Sequence, residues 1–111
     1  MSDTKLRTHA EFAAVQEHGR RIAMRYLVLL GCPNQLAHDR FGIIASRRLG
    51  GAVTRNRAKR RLRELFWHAR DDDARRAFDL VAIPRREFVD APFTAIERDF
   101  RSALGKLRAA R

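Results

Sequence analysis

A single cysteine, Cys32, is too few for an internal disulfide or a multi-thiolate zinc site, since either needs two or more thiols placed together. Acid is also scarce, with 13 Asp and Glu against 24 Lys and Arg. A nuclease working alone needs carboxylates gathered around Mg2+, or a histidine with a positioned partner. The histidines, His9, His18, His38 and His68, are scattered along the chain. The only carboxylate run is Asp71, Asp72 and Asp73, and three consecutive helical residues point in different directions. There is no GxxxxGK[ST] phosphate loop. No catalytic residue and no metal site is therefore expected in this chain. The apolar run "YLVLLG" is far too short to cross a bilayer, and the first ten residues lack the apolar stretch of a signal peptide. With a lone thiol, that makes a reducing cytoplasm the expected compartment and gives no reason to expect a membrane partner.

What is present is enough for a core. Hydrophobic residues are 45% of the 111, and seven phenylalanines are spread along the chain, so one folded domain spanning residues 1–111 is expected. The formal charge of +11 builds a long-range field that attracts polyanions. Because the basic residues cluster, nucleic acid is favoured over an anionic membrane. Only Lys5, Lys59 and Lys106 are lysine; the other basic residues are arginine, whose planar fork matches phosphate oxygens and stacks on unpaired bases. That favours shaped RNA.

Periodicity and turn residues predict the element order. Thr8 followed by Glu11 reads as a capping box, opening a short helix over residues 9–18 that Gly19 closes. Its apolar stripe, with Phe12 and Val15, is thin, so Phe12 is either an ordinary core residue or a stacking platform for a single strand. "RYLVLLG" and "RFGIIAS" are runs of β-formers separated by the turn-rich "CPNQLAHD", and are expected to pair as antiparallel strands. Gly50 and Gly51 suit a tight turn or a close approach of backbone to a ligand. "DLVAIP" reads as a third strand. "RDDDARRA" either extends the preceding helix or forms a loop. Asp90 is expected to cap a last helix with Pro92 in its first turn and a stripe of Phe93, Ile96, Phe100, Leu104 and Leu107. The expected fold is α+β, an α-β-β-α-β-α sandwich with a small mixed sheet.

Between the strands lies "TRNRAKRRLREL", with six basic residues in the nine positions from Arg55 to Arg63. At about 100° per residue, Ala58, Leu62, Leu65, Phe66 and Ala69 fall on one face, so the segment is a helix docked on a core and not a basic tail. Arg55, Lys59, Arg60 and Arg63 fall on one flank, Arg57 and Arg61 on the other. Arg55, Lys59 and Arg63 stack four apart, where like charges repel by a few tenths of a kcal/mol per pair, a cost that a bound polyanion relieves.

"GIIASRRLGGAVTRNRAKRRLRELF", residues 42–66, closely resembles the signature of the bacterial ribonuclease P protein subunit family. The match includes Gly50, Ala52-Val53, Arg55-Asn56-Arg57, Lys59-Arg60 and Arg63-Glu64. "FAAVQEHGRR" is similar to the family's N-terminal helix, and "FDLVAIPRREF" to its strand after the basic helix. The resemblance implies an accessory subunit of an endoribonuclease that matures the 5′ end of transfer RNA, with the active site and Mg2+ held by a large RNA subunit. It implies two RNA partners, the catalytic RNA and precursor tRNA, and no stable protein partner. Arg47, Arg48, Arg55, Asn56, Arg57, Lys59, Arg60 and Arg63 become candidates for binding the RNA subunit. Phe12, Gln16 and Gly51 become candidates for a cleft that holds the 5′ leader. Gln16 stands where the family often has a second aromatic, and Gly51 where it commonly has asparagine. The resemblance also implies a left-handed crossover between parallel strands, against the right-handed rule. Residue patterns alone leave two alternatives, a structural RNA-binding protein such as a ribosomal component and a nuclease in its own right.

Overall fold

The computed structural model describes residues 4–36, 38–69 and 77–109. Helix α1 (His9–His18) opens with the anticipated capping box. The Thr8 hydroxyl accepts the Glu11 N–H at 3.1 Å, and Glu11 Oε1 accepts the Thr8 and Arg7 N–H groups at 2.9 and 2.7 Å. Strands β1 (Arg20–Ala23), β2 (Leu27–Pro33) and β3 (Arg40–Ile43) follow. Helix α2 (Ala52–Ala69), β4 (Phe78–Pro84) and α3 (Phe93–Ala109) complete the order. "RDDDARRA" lies almost entirely outside the described residues, and Asp71 to Asp73 wholly so.

The sheet runs β1-β2-β4-β3, antiparallel except for β3 and β4, which are parallel and joined through α2. Three expectations are corrected here. "RRIA" forms a fourth strand, β1, whose period-2 signal is masked because only Ile22 of its four residues is apolar and large. The two strands expected to pair, β2 and β3, do not touch as neighbours; β4 lies between them. Six of the seven residues of β4 are buried, so it gains most from the centre of the sheet, where both faces are covered. The last helix starts at Phe93, and the Pro92 carbonyl accepts its first N–H bonds, from Ala95 and Ile96, so Pro92 precedes the first turn.

Alternation along the strands divides the core in two. One face carries Leu27, Leu29, Leu80, Ala82 and Phe41 toward α2 and α3. The other carries Val28, Leu30 and Val81 toward Val15 and Leu6. The α3 stripe is buried at Ile96, Phe100, Ala103, Leu104 and Leu107, each large apolar side chain contributing about 1.5–3 kcal/mol. Phe41 stacks on Phe66 of α2 at 4.5 Å between ring centroids and meets Phe100 edge-on at 6.1 Å. These contacts set the rotation of α2 about its own axis, and with it the direction of every charged residue on that helix.

Helix α1 is held to the sheet by charge. Arg40 of β3 reaches Glu11 at 2.8 Å and makes a two-pronged contact with Asp79 of β4 at 2.9 and 2.7 Å. The Thr8 and Arg7 N–H groups, followed by Arg40, hold the Glu11 carboxyl at about 2, below its ordinary 4.5. A depressed carboxyl stabilises the fold fully above pH 4.5, and that contribution drains away as pH falls from there through about 2. The thermal midpoint should therefore decline across this acid window, and E11Q should decline less steeply. Parallel pH profiles for the two proteins would show that Glu11 has no such role.

Candidate nucleic-acid interface

The basic helix is built as its spacing predicts. Ala58, Leu62, Leu65 and Phe66 are buried, and Ala69 packs partly against the same core. Arg57, Arg60 and Arg63 are exposed, whereas Arg55, Lys59 and Arg61 are half-buried. Asn56 is exposed near the start of α2. Arg47 and Arg48 are exposed on a 3-10 turn, Arg47–Leu49, which leads into α2. The turn ends at Gly50, whose φ of 139° is a conformation that L side chains rarely adopt. The glycine thus allows the chain to turn sharply from the 3-10 turn into α2.

The two flanks of α2 look onto different surroundings. Arg57 and Arg61 border a small notch with Phe88 and Val89. Lys59 and Arg63 line a groove of about 310 Å³ at the β3 edge of the sheet. Residues 4–6 close that edge: the Phe41 N–H donates to the Thr4 carbonyl at 2.8 Å, and the Leu6 N–H to the Phe41 carbonyl at 3.1 Å. Phe12 enters the groove from α1, half-buried, with Cε1 and Cζ of its ring against Gly42. A Cβ at Gly42 would stand 2.5 Å from that ring, so glycine there is what lets Phe12 settle against β3. Phe12 is both a wall of the groove and a partner of the core, since it also packs on the Val28, Leu30 and Val81 cluster.

The structure brings Phe12, Lys59 and Arg63 together but not the other two cleft candidates. Gln16 is exposed on α1 and Gly51 is exposed with open space around it; neither lines the groove. Trp67, absent from the sequence-based candidates, does line it, and is 52% exposed. The signal for it was available: Trp67 stands four residues beyond Arg63 and extends the 55, 59, 63 ridge.

Comparison with known proteins identifies a family. The sequence model of the Ribonuclease P family matches residues 1–108. The chain belongs to the ribonuclease P protein family. A ribonuclease P protein component from Clostridium botulinum (strain Loch Maree / Type A3) is 36% identical over 97 residues, 87% of each chain. Among solved structures, the Staphylococcus aureus RNase P protein superposes with a TM-score of 0.82 at 30% identity, covering 94% of each chain. The RNase P protein of Thermotoga maritima gives 0.78 at 26% identity, covering 96% of this chain and 97% of that one. The mixed sheet with its parallel pair spanned by α2 is thus the ribonuclease P protein fold.

Proposed function

We infer that this chain is the protein component of ribonuclease P and acts with the RNA subunit in removing the 5′ leader of precursor tRNA. Membership of the family carries the assignment. The observation that carries the mechanism is the helix α2, docked through one apolar face and basic on both flanks. As one RNA-binding unit, the protein places fixed cations between two polyanions and screens their phosphates from each other, raising substrate affinity without supplying a nucleophile.

In this reading Arg47, Arg48, Arg55, Asn56, Arg57, Lys59, Arg60 and Arg63 meet the catalytic RNA, and Phe12 meets the single-stranded leader by stacking. Among the described residues, no three His, Cys, Asp or Glu side chains gather where they could hold a metal. As the family resemblance implies, Mg2+ and the bond-breaking step belong to the RNA subunit in this reading, and no step is routed through a metal on the protein. No described helix is long and apolar enough to cross a membrane, which suits a partner in the cytoplasm.

Reconstitution with the RNA subunit on a 5′-extended precursor is the deciding assay: the protein should stimulate cleavage at low Mg2+. Absence of stimulation, with the chain co-purifying on a ribosomal particle, would favour a structural RNA-binding role instead. Cleavage by the protein without RNA would make it a nuclease. Within the assembled enzyme, F12A should weaken binding of long-leader precursors by roughly tenfold, the equivalent of one lost base stack, and leave mature tRNA unaffected. Equal weakening of both would make Phe12 purely a core residue.

A further inference from the structure

We propose that residues 4–18, the segment 4–6 together with α1, form one detachable unit that opens and closes against the sheet apart from the α2 and α3 core, with Leu6 as the pin that holds it closed. The unit carries Phe12, so Leu6 becomes a positioning residue for that ring. Only this last step rests on the functional reading above.

The two faces of the sheet are packed separately. Helices α2 and α3 cover one, and among the described residues α1 and Leu6 cover the other. The α1 side is thin: Val15 is the buried residue of α1, and Leu6, 6% exposed, joins it on Val28, Leu30 and Val81, with Phe12 adding a half-buried ring. A ten-residue helix is too short to persist on propensity alone, so these contacts decide whether it stays in place.

Opening also frees polar groups where water can replace their partners. The Phe41 N–H and carbonyl, bonded to the Thr4 carbonyl at 2.8 Å and the Leu6 N–H at 3.1 Å, lie on the outer edge of β3. Arg40 gives up Glu11 but keeps both of its bonds to Asp79. Glu11 in turn takes the Thr8 and Arg7 N–H groups with it, so the cap of α1 travels with the helix. Gly19 joins α1 to β1, which stays paired with β2, and is therefore the hinge. A segment with few buried apolar contacts and hydrogen bonds at an edge opens at a lower free energy than the whole fold.

Amide exchange in the full chain tests the division. The Leu6, Phe41 and Gly19 amides should be about tenfold less protected than the Leu80 amide at the centre of the sheet, with a weaker dependence on denaturant because less surface is exposed. I96V, which trims the α3 core, should lower protection at Leu80 by about fivefold and leave the three unit amides within about twofold, since Ile96 packs alike whether the unit is open or closed. L6A should lower protection at Phe41, Gly19 and Leu80 together by about a hundredfold, because it disfavours the closed state against both the open and the unfolded chain. Equal protection at all four amides in the wild type, or an I96V effect shared by all of them, would mean one cooperative domain and overturn the proposal.

In the holoenzyme assembled with the RNA subunit, L6A should lose about fivefold of the preference for long-leader precursor over mature tRNA and keep RNA-subunit affinity within about twofold, and L6M should restore that preference. An L6A enzyme that keeps the preference while F12A loses it would remove the positioning role and leave the functional reading intact. A wild-type chain that fails to stimulate processing would remove that reading and leave the exchange result standing.

Discussion

R57E/R60E should lose about a hundredfold in affinity for the RNA subunit at physiological salt, and its log–log salt dependence should flatten by about two units. Both side chains are exposed, so reversing them disturbs little packing. Each arginine that meets a phosphate releases about one counterion, which is worth roughly fivefold in affinity near 0.15 M salt, and the repulsion added by a carboxylate raises the loss to about tenfold per site. Affinity measured against salt for the double variant and the wild type checks this, with the thermal midpoint as control for folding. Weaker binding with an unchanged slope would show that neither side chain meets phosphate.

R40M should be destabilising by about 3 kcal/mol, a large part of the roughly 5–15 kcal/mol that holds a small domain together. Arg40 ties three elements: Glu11 on α1, Asp79 on β4, and its own strand β3. Its loss leaves the Asp79 carboxylate, whose side chain is 11% exposed, held by the Asn34 amide at 2.9 Å without its cation. An uncompensated charge so far from water is what makes the change costly. Replacing both members, as in R40M/D79L, removes the buried charge along with its partner and should recover much of the stability. Denaturant midpoints of the single and double variants test this. A single variant within about 0.5 kcal/mol of wild type, the range of ordinary surface changes, would mean the network is solvated. Since Arg40 also fixes where α1 sits, R40M should reduce discrimination between long and short leaders more than it reduces RNA-subunit affinity.

How much of the protein was legible in advance varied with the range of the interactions involved. The bounds of α1, its capping box, and the buried arc of Ala58, Leu62, Leu65 and Phe66 all come from contacts within a few residues, and all are found as spacing predicts. The pairing of strands was misjudged because neighbours in sequence are favoured by short turns, whereas β4 takes the place between β2 and β3 through burial on both faces. No local pattern marks the Arg40–Asp79 contact, whose partners are 39 positions apart. The same holds for Asp39, which accepts the Phe78 N–H at 2.8 Å and meets Arg108 at 2.7 Å, joining the start of β3 to the end of α3.

The candidate site divides along the same line. By itself the sequence determined that a rigid, amphipathic and strongly basic helix exists, because a 3.6-residue period and a count of charges are properties of one segment. Which flank meets which surface was decided only by tertiary structure. The stacking of Phe66 on Phe41 sets the rotation of α2, Gly42 admits the Phe12 ring, and together they bring Lys59, Arg63 and Trp67 opposite an aromatic from another helix. A groove is a relation between elements distant in the chain, so no periodicity within one of them can encode it.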